Sequence, residues 1–410
     1  MSTLVFRGDY QSTFNYHADL MLSSSTLSPN QAATMLVTTY GYDTWGNKTS
    51  ESVTGYSTAT GSNITRTATS NYGSTGRYLK YTDDALGYRT SFLYNGVDAD
   101  AVTGRITSIK TTDANGVAKT DNFDVWGQLS STKHPDSKTT TVTQSYCSSC
   151  ANNAYYFVRT TLTANPTQEV YYDRWGREVM SRVTSFSGGW NEVVKTYDGQ
   201  GRPLLSYEPN SSSYSTIEYD VLGRPFQVTA ANGAVTTTDL NGFEQRTTDD
   251  LGHVSRTFQN GFGETAYTED ELGNRVVFKY DAQGNVVSTV TEAEGGSYTT
   301  TMTYDDWGRK LTTNDPVKGL WIYTYNAFGE LYTQKTARNH TFTFSYDKLG
   351  NKIRSYEASE GTLCWNFGTT SDKGRLLSTE KYEGLNATCL SGSPTYKQSY
   401  TYYSATGLPY

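Results

Sequence analysis

Tyr304-Asp305-Asp306-Trp307-Gly308-Arg309 is one statement of a phrase that recurs along the chain: Tyr-Asp-x-x-Gly, usually followed by Arg or Asn. It stands again as Tyr42-Asp43-Thr44-Trp45-Gly46-Asn47, Phe123-Asp124-Val125-Trp126-Gly127, Tyr172-Asp173-Arg174-Trp175-Gly176-Arg177, Tyr197-Asp198-Gly199-Gln200-Gly201-Arg202 and Tyr219-Asp220-Val221-Leu222-Gly223-Arg224. Tyr280-Asp281-Ala282-Gln283-Gly284-Asn285, Tyr325-Asn326-Ala327-Phe328-Gly329 and Tyr346-Asp347-Lys348-Leu349-Gly350-Asn351 complete the strong copies. Weaker copies without the tyrosine are Asp84…Gly87, Asp239…Gly242, Asp249…Gly252 and Asp270…Gly273. From Gly223 the glycines step through 242, 252, 263, 273, 284, 308, 329 and 350, an interval of about 10–11 residues or twice that.

The phrase has a local physical meaning. An Asp opening a turn can accept from the backbone two residues on, and a Gly at the fourth position takes the left-handed conformation that closes a type I turn with a bulge. Between turns lie β-formers in alternation: Phe342, Phe344 and Tyr346 share one face of 341–346, with Thr341, Thr343 and Ser345 on the other. Thr236-Thr237-Thr238, 299–303 and 138–143 read the same way. Each half-unit is then a strand plus a turn, and each unit of about 21 residues is a hairpin. A lone hairpin cannot bury its apolar face, so neighbours must stack into one long antiparallel sheet. The fold class is all-β, tandem antiparallel hairpins in a long curved sheet. The tyrosines, recurring at one place per unit, are expected to stack on each other across strands. Only Pro29–Leu36, with Pro at a first helical position, gives a helix signal.

Composition agrees. The 410 residues are 35% hydrophobic, 14% aromatic and 18% charged, with 34 tyrosines. That is too aromatic for a disordered chain and too polar for one large solid core. No apolar run is long enough for a spanning helix, and the first residues carry no secretion signal. Net charge is −7 with scattered Lys and Arg, which excludes the basic stripe that nucleic acids require.

The four cysteines are Cys147, Cys150, Cys364 and Cys389. A metal site would need a second pair of ligands near Cys147 and Cys150, and none is spaced for it. Local disulfides at 147/150 and 364/389 and plain buried thiols are both open.

The repeated unit resembles the RHS repeat, also called the YD repeat, of bacterial RHS and polymorphic-toxin proteins, toxin-complex B and C components and animal teneurins. The resemblance runs over about residues 40–407. It implies a strip of β-hairpins spiralling into a hollow shell, a secreted or cell-surface role, and no chemistry in the repeats themselves. In the toxins such a shell encloses a C-terminal effector. This sequence departs from the longer members: no variable toxin region follows, and Tyr402–Gly407 reads as one more turn cut off after its glycine. The family's self-cleaving aspartates have a counterpart only in Asp315-Pro316, which lies between ordinary repeats. The chain therefore reads as a piece of shell, an excised fragment or a short member without cargo. Residues 1–40 read as a candidate cap and 41–410 as the repeat region, incomplete at its C-terminus, where an open strand edge is expected to promote self-association.

Enzyme signals are thin. His17, His134, His253 and His340 sit in unrelated contexts and read as exposed polar residues. There is no HExxH, Gly-x-Ser-x-Gly or phosphate-loop pattern. The aspartates are explained by their place in the turns, and Asp98, Asp100 and Asp249-Asp250 are not continued into a calcium loop. The expectation is no enzyme, no cofactor, no metal, no nucleic acid and no membrane insertion. Three functions compete: a wall that encloses or presents a polypeptide as part of a larger shell; an adhesin that uses exposed Tyr and Trp to touch glycans or a cell-surface receptor; and, weakest, an enzyme. Trp45, Trp126, Trp175 and Trp307, each two residues after a turn Asp, would line one sheet edge, either as a binding row or packed against neighbouring turns.

Overall fold

A computed structural model describes residues 3–7, 10–28, 35–57, 61–94, 106–293, 295–384, 389, 392–404 and 406–409. Thirty-four strands are described, all antiparallel, and within each of the two compact units described below strands adjacent along the chain pair with each other. This is the all-β tandem-hairpin fold that the repeated turn predicts.

The Asp305 turn shows why the sequence folds this way. Gly308 N–H donates to the Asp305 carbonyl at 2.9 Å, and Asp305 N–H donates to the Arg309 carbonyl at 2.9 Å. The Asp305 carboxylate accepts from the N–H groups of Trp307 and Arg309 at 3.0 and 2.9 Å and from Arg309 Nε at 2.6 Å. One side chain thus satisfies the donors that a tight turn leaves over. Gly308 has φ +74°, a conformation that a side chain would strain. The register slips by one residue at the tyrosine that precedes each such turn, as at Tyr197, Tyr219, Tyr280, Tyr304, Tyr325 and Tyr346. The motif is therefore a turn with a β-bulge.

Within each run of consecutively paired strands the Tyr-Asp turns fall on one edge, and the Asp84, Asp113, Asp249 and Asp270 turns fall on the other. Asp239 belongs to neither. It pairs with Arg246 inside the strand Val235–Asn241, and the chain reverses through Gly242-Phe243. The weak copy at Asp239…Gly242 is therefore a strand end, because two residues suffice there for the turn.

The expected tyrosine ladder is corrected. Motif tyrosines occur on every second strand, which places successive rings about 10 Å apart and beyond stacking range. Several of the hydroxyls instead reach back to a carbonyl at the start of an earlier strand, among them Tyr197 to Glu178 at 2.7 Å, Tyr219 to Pro203 at 2.7 Å, Tyr325 to Lys310 at 2.9 Å and Tyr346 to Leu331 at 2.9 Å. The arginine of the preceding turn covers the ring, with Arg177 over Tyr197, Arg202 over Tyr219 and Arg309 over Tyr325 at 4.6, 4.3 and 4.9 Å. Arginine is thus both turn clasp and ring cover. Cross-strand stacking does occur between adjacent strands, as in Tyr156–Tyr172 and Phe258–Tyr267. Tyr346→Phe is expected to cost about 1 kcal/mol, the net value of one hydrogen bond. A urea titration of the variant would read it as a shifted midpoint at unchanged slope.

The chain divides into two compact units. Unit 1 comprises residues 1–127, 134–136 and 301–410, and unit 2 comprises 128–133 and 137–300. In unit 1 the strands Thr3–Arg7, Tyr10–Tyr16, Leu22–Ser28 and Leu36–Tyr42 pair in sequence. Of the helix signal at Pro29–Leu36, residues 29–34 lie outside the described residues, as do Asp98 and Asp100, and Leu36 opens the strand Leu36–Tyr42, whose pairing with its neighbours overrides the local helix signal there. Apolar burial is sparse. A small cluster forms around Tyr94 with Tyr78, Phe92, Ile106 and Ile109 in unit 1. In unit 2 Tyr171, Val179 and Met180 pack with Phe157 and Val194 and against the Cys147/Cys150 loop.

Candidate functional site

The turn edge bears the repeated chemistry, and the residue four after the turn Asp decides its form. In Asp173/Arg177, Asp198/Arg202, Asp220/Arg224 and Asp305/Arg309 the acid accepts from a guanidinium at 2.6–2.7 Å. In Asp281/Asn285 and Asp347/Asn351 an amide takes the donor's place at 2.9 Å. Asn260/Glu264 and Asn326/Glu330 reverse the polarity, with Asn donating to Glu at 2.7 Å. Asp198 and Asp220 are held below the ordinary carboxylate range, first by the backbone N–H groups of Arg202 and Arg224.

The reversal at Asn326 leaves a carboxylate facing outward from the turn, and unit 1 uses it. Arg66, on the strand Ser62–Asn71, grips Glu330 with two parallel bonds of 2.8 and 3.0 Å and donates to the Asp347 carbonyl at 3.2 Å. Its guanidinium lies 3.9 Å from the Phe328 ring centroid. Beside it Ala327 is 1% exposed against Gly55. A Cβ at Gly55 would sit 2.8 Å from Leu36 Cδ2 and 2.9 Å from Ala327 Cβ, so only glycine lets the turn seat there. The same seam is extended by Tyr88 donating to the Gly368 carbonyl at 3.0 Å. Asn115 also exchanges two bonds with the Lys373 backbone, at 2.7 and 3.1 Å. The partners are more than 250 residues apart in sequence, with Arg66 and Glu330 separated by 264.

Carboxylates are also buried within the strands. Glu169 is 0% exposed and lies in register between Arg159 and Arg182 on the flanking strands. It accepts from Arg159 Nε at 2.5 Å, Arg182 Nε at 2.7 Å and the Tyr171 hydroxyl at 2.6 Å. Burial pushes its pKa up, and the bonds from Tyr171, Arg182 and Arg159 more than offset this and hold it low. Glu269 repeats the arrangement between Arg256 and Arg275. In unit 1 Glu380 takes Lys397, Tyr382 and Ser378, and Glu357 takes Ser359, the Glu360 N–H and His340. These anions are fully occupied by neighbours, which suits them to hold strands in register.

Glu380 is lowered to about 2 chiefly by Lys397, and Glu357 to about 2 chiefly by Ser359. Both folded values lie below the ordinary 4.5, so the stability they contribute is whole above that pH and is lost as pH falls toward 2. Thermal melts from pH 6 downward are expected to show a falling Tm between about 4.5 and 2. Glu380→Gln should flatten that slope.

Other residues singled out from the sequence have varied surroundings. Cys147–Cys150 and Cys364–Cys389 are disulfide-bonded. Trp45 lies against Gly76, where a Cβ would meet its ring at 2.1 Å, yet is 64% exposed, and Trp307 has its indole nitrogen buried. Trp126 and Trp175 are 84% and 78% exposed. His17, His253 and His340 are exposed as expected, whereas His134 is half-buried. His253 sits between Asp249 and Glu271, and His17 stands edge-on to Tyr42. Asp315 accepts from the N–H groups of Val317 and Lys318, an ordinary turn. Among the described residues no group of three or more His, Cys, Asp or Glu converges as for a metal. Sequence reasoning missed Glu169, Glu269 and the Arg66–Glu330 clasp. The one local sign of the last is Glu in place of Arg or Asn after Gly329.

No protein-family model matches the chain. A curated relative, "Probable deoxyribonuclease RhsB" of Dickeya dadantii, is 25% identical over 217 residues, covering 47% of this chain and 15% of that protein. The crystal structure of TcdB2-TccC3 without its hypervariable C-terminal region superposes with a TM-score of 0.56 at 13% identity, over 96% of this chain and 23% of that one. The Photorhabdus luminescens Tc holotoxin pore, with a mutated TccC3, gives 0.58 at 13% identity, over 98% and 24%. At such identities the likeness is one of fold. The chain spans less than a quarter of the length of these proteins.

Proposed function

We propose that this chain, an RHS-repeat protein related to RhsB and sharing the fold of TcdB2-TccC3, is a non-enzymatic segment of shell wall that encloses or presents another polypeptide outside the cell that makes it. The observation that carries the reading is the thinness of burial. Seven hydrophobic residues are buried among those described, while the polar turn edges and strand-to-strand ion pairs are complete. A sheet so built holds its shape through edges and registers and has no need of a second layer on top. The two disulfides support an oxidising destination. The partners of such a segment are the remainder of the wall and the polypeptide within. Cryo-electron microscopy of the full-length reading frame tests this: a hollow interior holding additional density is expected, and a solid, two-layered sandwich would overturn it.

A further inference from the structure

We infer that unit 2 carries a binding site for an acidic oligosaccharide, in the cavity between the Cys147–Tyr155 loop and the Asp173 turn. The cavity measures about 800 Å³, within the range of small-ligand sites, and mixes aromatic and polar walls. Its central feature is Trp175. The Trp307 indole nitrogen is buried, whereas Trp175 is 78% exposed, as Trp45 and Trp126 also are at 64% and 84%, and Trp175 is the one of these three that lines this cavity. The Trp175 backbone N–H is tied to Asp173 Oδ1 at 2.9 Å, which fixes the turn that carries the indole, and the Arg177 guanidinium lies 4.8 Å from the indole ring and 4.6 Å from that of Tyr197. A solvated aromatic face is what the apolar face of a pyranose stacks on.

The opposite wall supplies hydrogen bonds. At this place on the edge the four-residue turn is replaced by a loop closed by the Cys147–Cys150 disulfide and by Cys147 N–H donating to the Tyr155 carbonyl at 2.8 Å. Asn152 and Asn153 both stand in the left-handed conformation, φ 58° and 56°, and line the cavity. The loop is pre-shaped, so a ligand does not have to order it.

Charge selects the class of sugar. Arg177 is matched by Asp173 at 2.7 Å and Lys195 by Glu178 at 3.0 Å. Arg174, also on the cavity wall, stands over the Tyr155 ring at 5.6 Å and has no carboxylate partner among the described residues. One uncompensated guanidinium beside an aromatic platform fits a sugar bearing a carboxylate or sulfate. The whole chain carries −7, so attraction of an anion here is local.

Titration calorimetry of the intact chain with a hyaluronan octasaccharide, a chondroitin sulfate octasaccharide and neutral maltoheptaose tests the assignment. Binding of at least one acidic probe about tenfold or more tighter than the neutral one is expected, a difference of about 1.4 kcal/mol. Hyaluronan alone would assign the carboxylate, chondroitin sulfate alone the sulfate. Trp175→Ala should weaken binding of the acidic probe about tenfold or more, and Arg174→Gln should remove the preference for it while the thermal melt stays unchanged. No binding of any probe, equal binding of maltoheptaose, or full affinity in Trp175→Ala would overturn it.

Discussion

Arg66→Ala is expected to lower the stability of unit 1 by about 3 kcal/mol, the scale for stranding one half of a largely buried ion pair. Both side chains are mostly covered, at 18% and 13% exposure, and the arginine also caps the Phe328 ring and the Asp347 carbonyl. Among the described residues, removing it leaves Glu330 with Asn326 as its side-chain donor. Glu330→Gln should cost less, because an amide oxygen still accepts one of the two bonds. In a double-mutant cycle on the pair, the combined loss should fall short of the sum by roughly 0.5–3 kcal/mol. Urea unfolding checks all three. A loss below about 0.5 kcal/mol in Arg66→Ala, the range of an ordinary surface change, would mean that the seam does not form in solution.

Glu169→Gln is the second large effect, at about 3 kcal/mol or more, since Arg159, Arg182 and the Tyr171 hydroxyl all converge on one fully buried carboxylate. It also has a spectroscopic readout. Burial, and then the bond to Glu169, push the Tyr171 phenol up to about 12 from 10. The folded value is raised, so the stabilisation tied to the neutral phenol is whole below pH 10 and is lost as pH climbs through about 12. In the variant the phenol should ionise closer to pH 10. An unchanged alkaline absorbance titration together with an unchanged urea midpoint would contradict this account.

The hairpins were legible because their cause is local. Asp305 and Gly308 act within five residues, and alternation in 341–346 needs no partner to be seen. The tyrosine was legible as a marker and misread as an interaction: Tyr197 and Tyr219 look like neighbours when the repeats are aligned, yet an intervening strand and a bulge keep them apart. Distance in sequence hid the rest. Nothing near Arg66 announces Glu330, and Glu169 reads as an ordinary strand residue until Arg159 and Arg182 are placed on either side of it. Cys147 and Cys150 could be seen as a pair, but not that their loop walls a cavity.

The reversed polarity at Asn326/Glu330 carries a consequence for how such sequences drift. The first and fifth residues of a turn form a donor–acceptor couple, and what is inherited is the couple. Exchanging Asp–Arg for Asn–Glu changes the sign of the charge on offer and leaves the backbone where it was, so whole couples can be swapped quietly. Exchanging Arg for Asn alone keeps the bond, as at Asp281/Asn285, because the donor stays a donor, whereas Asn in place of Asp opposite Arg sets donor against donor and forfeits it. Positions four apart should therefore vary together across homologous turns, and each swap moves a point of charge along the rim, where a distant arginine can find it.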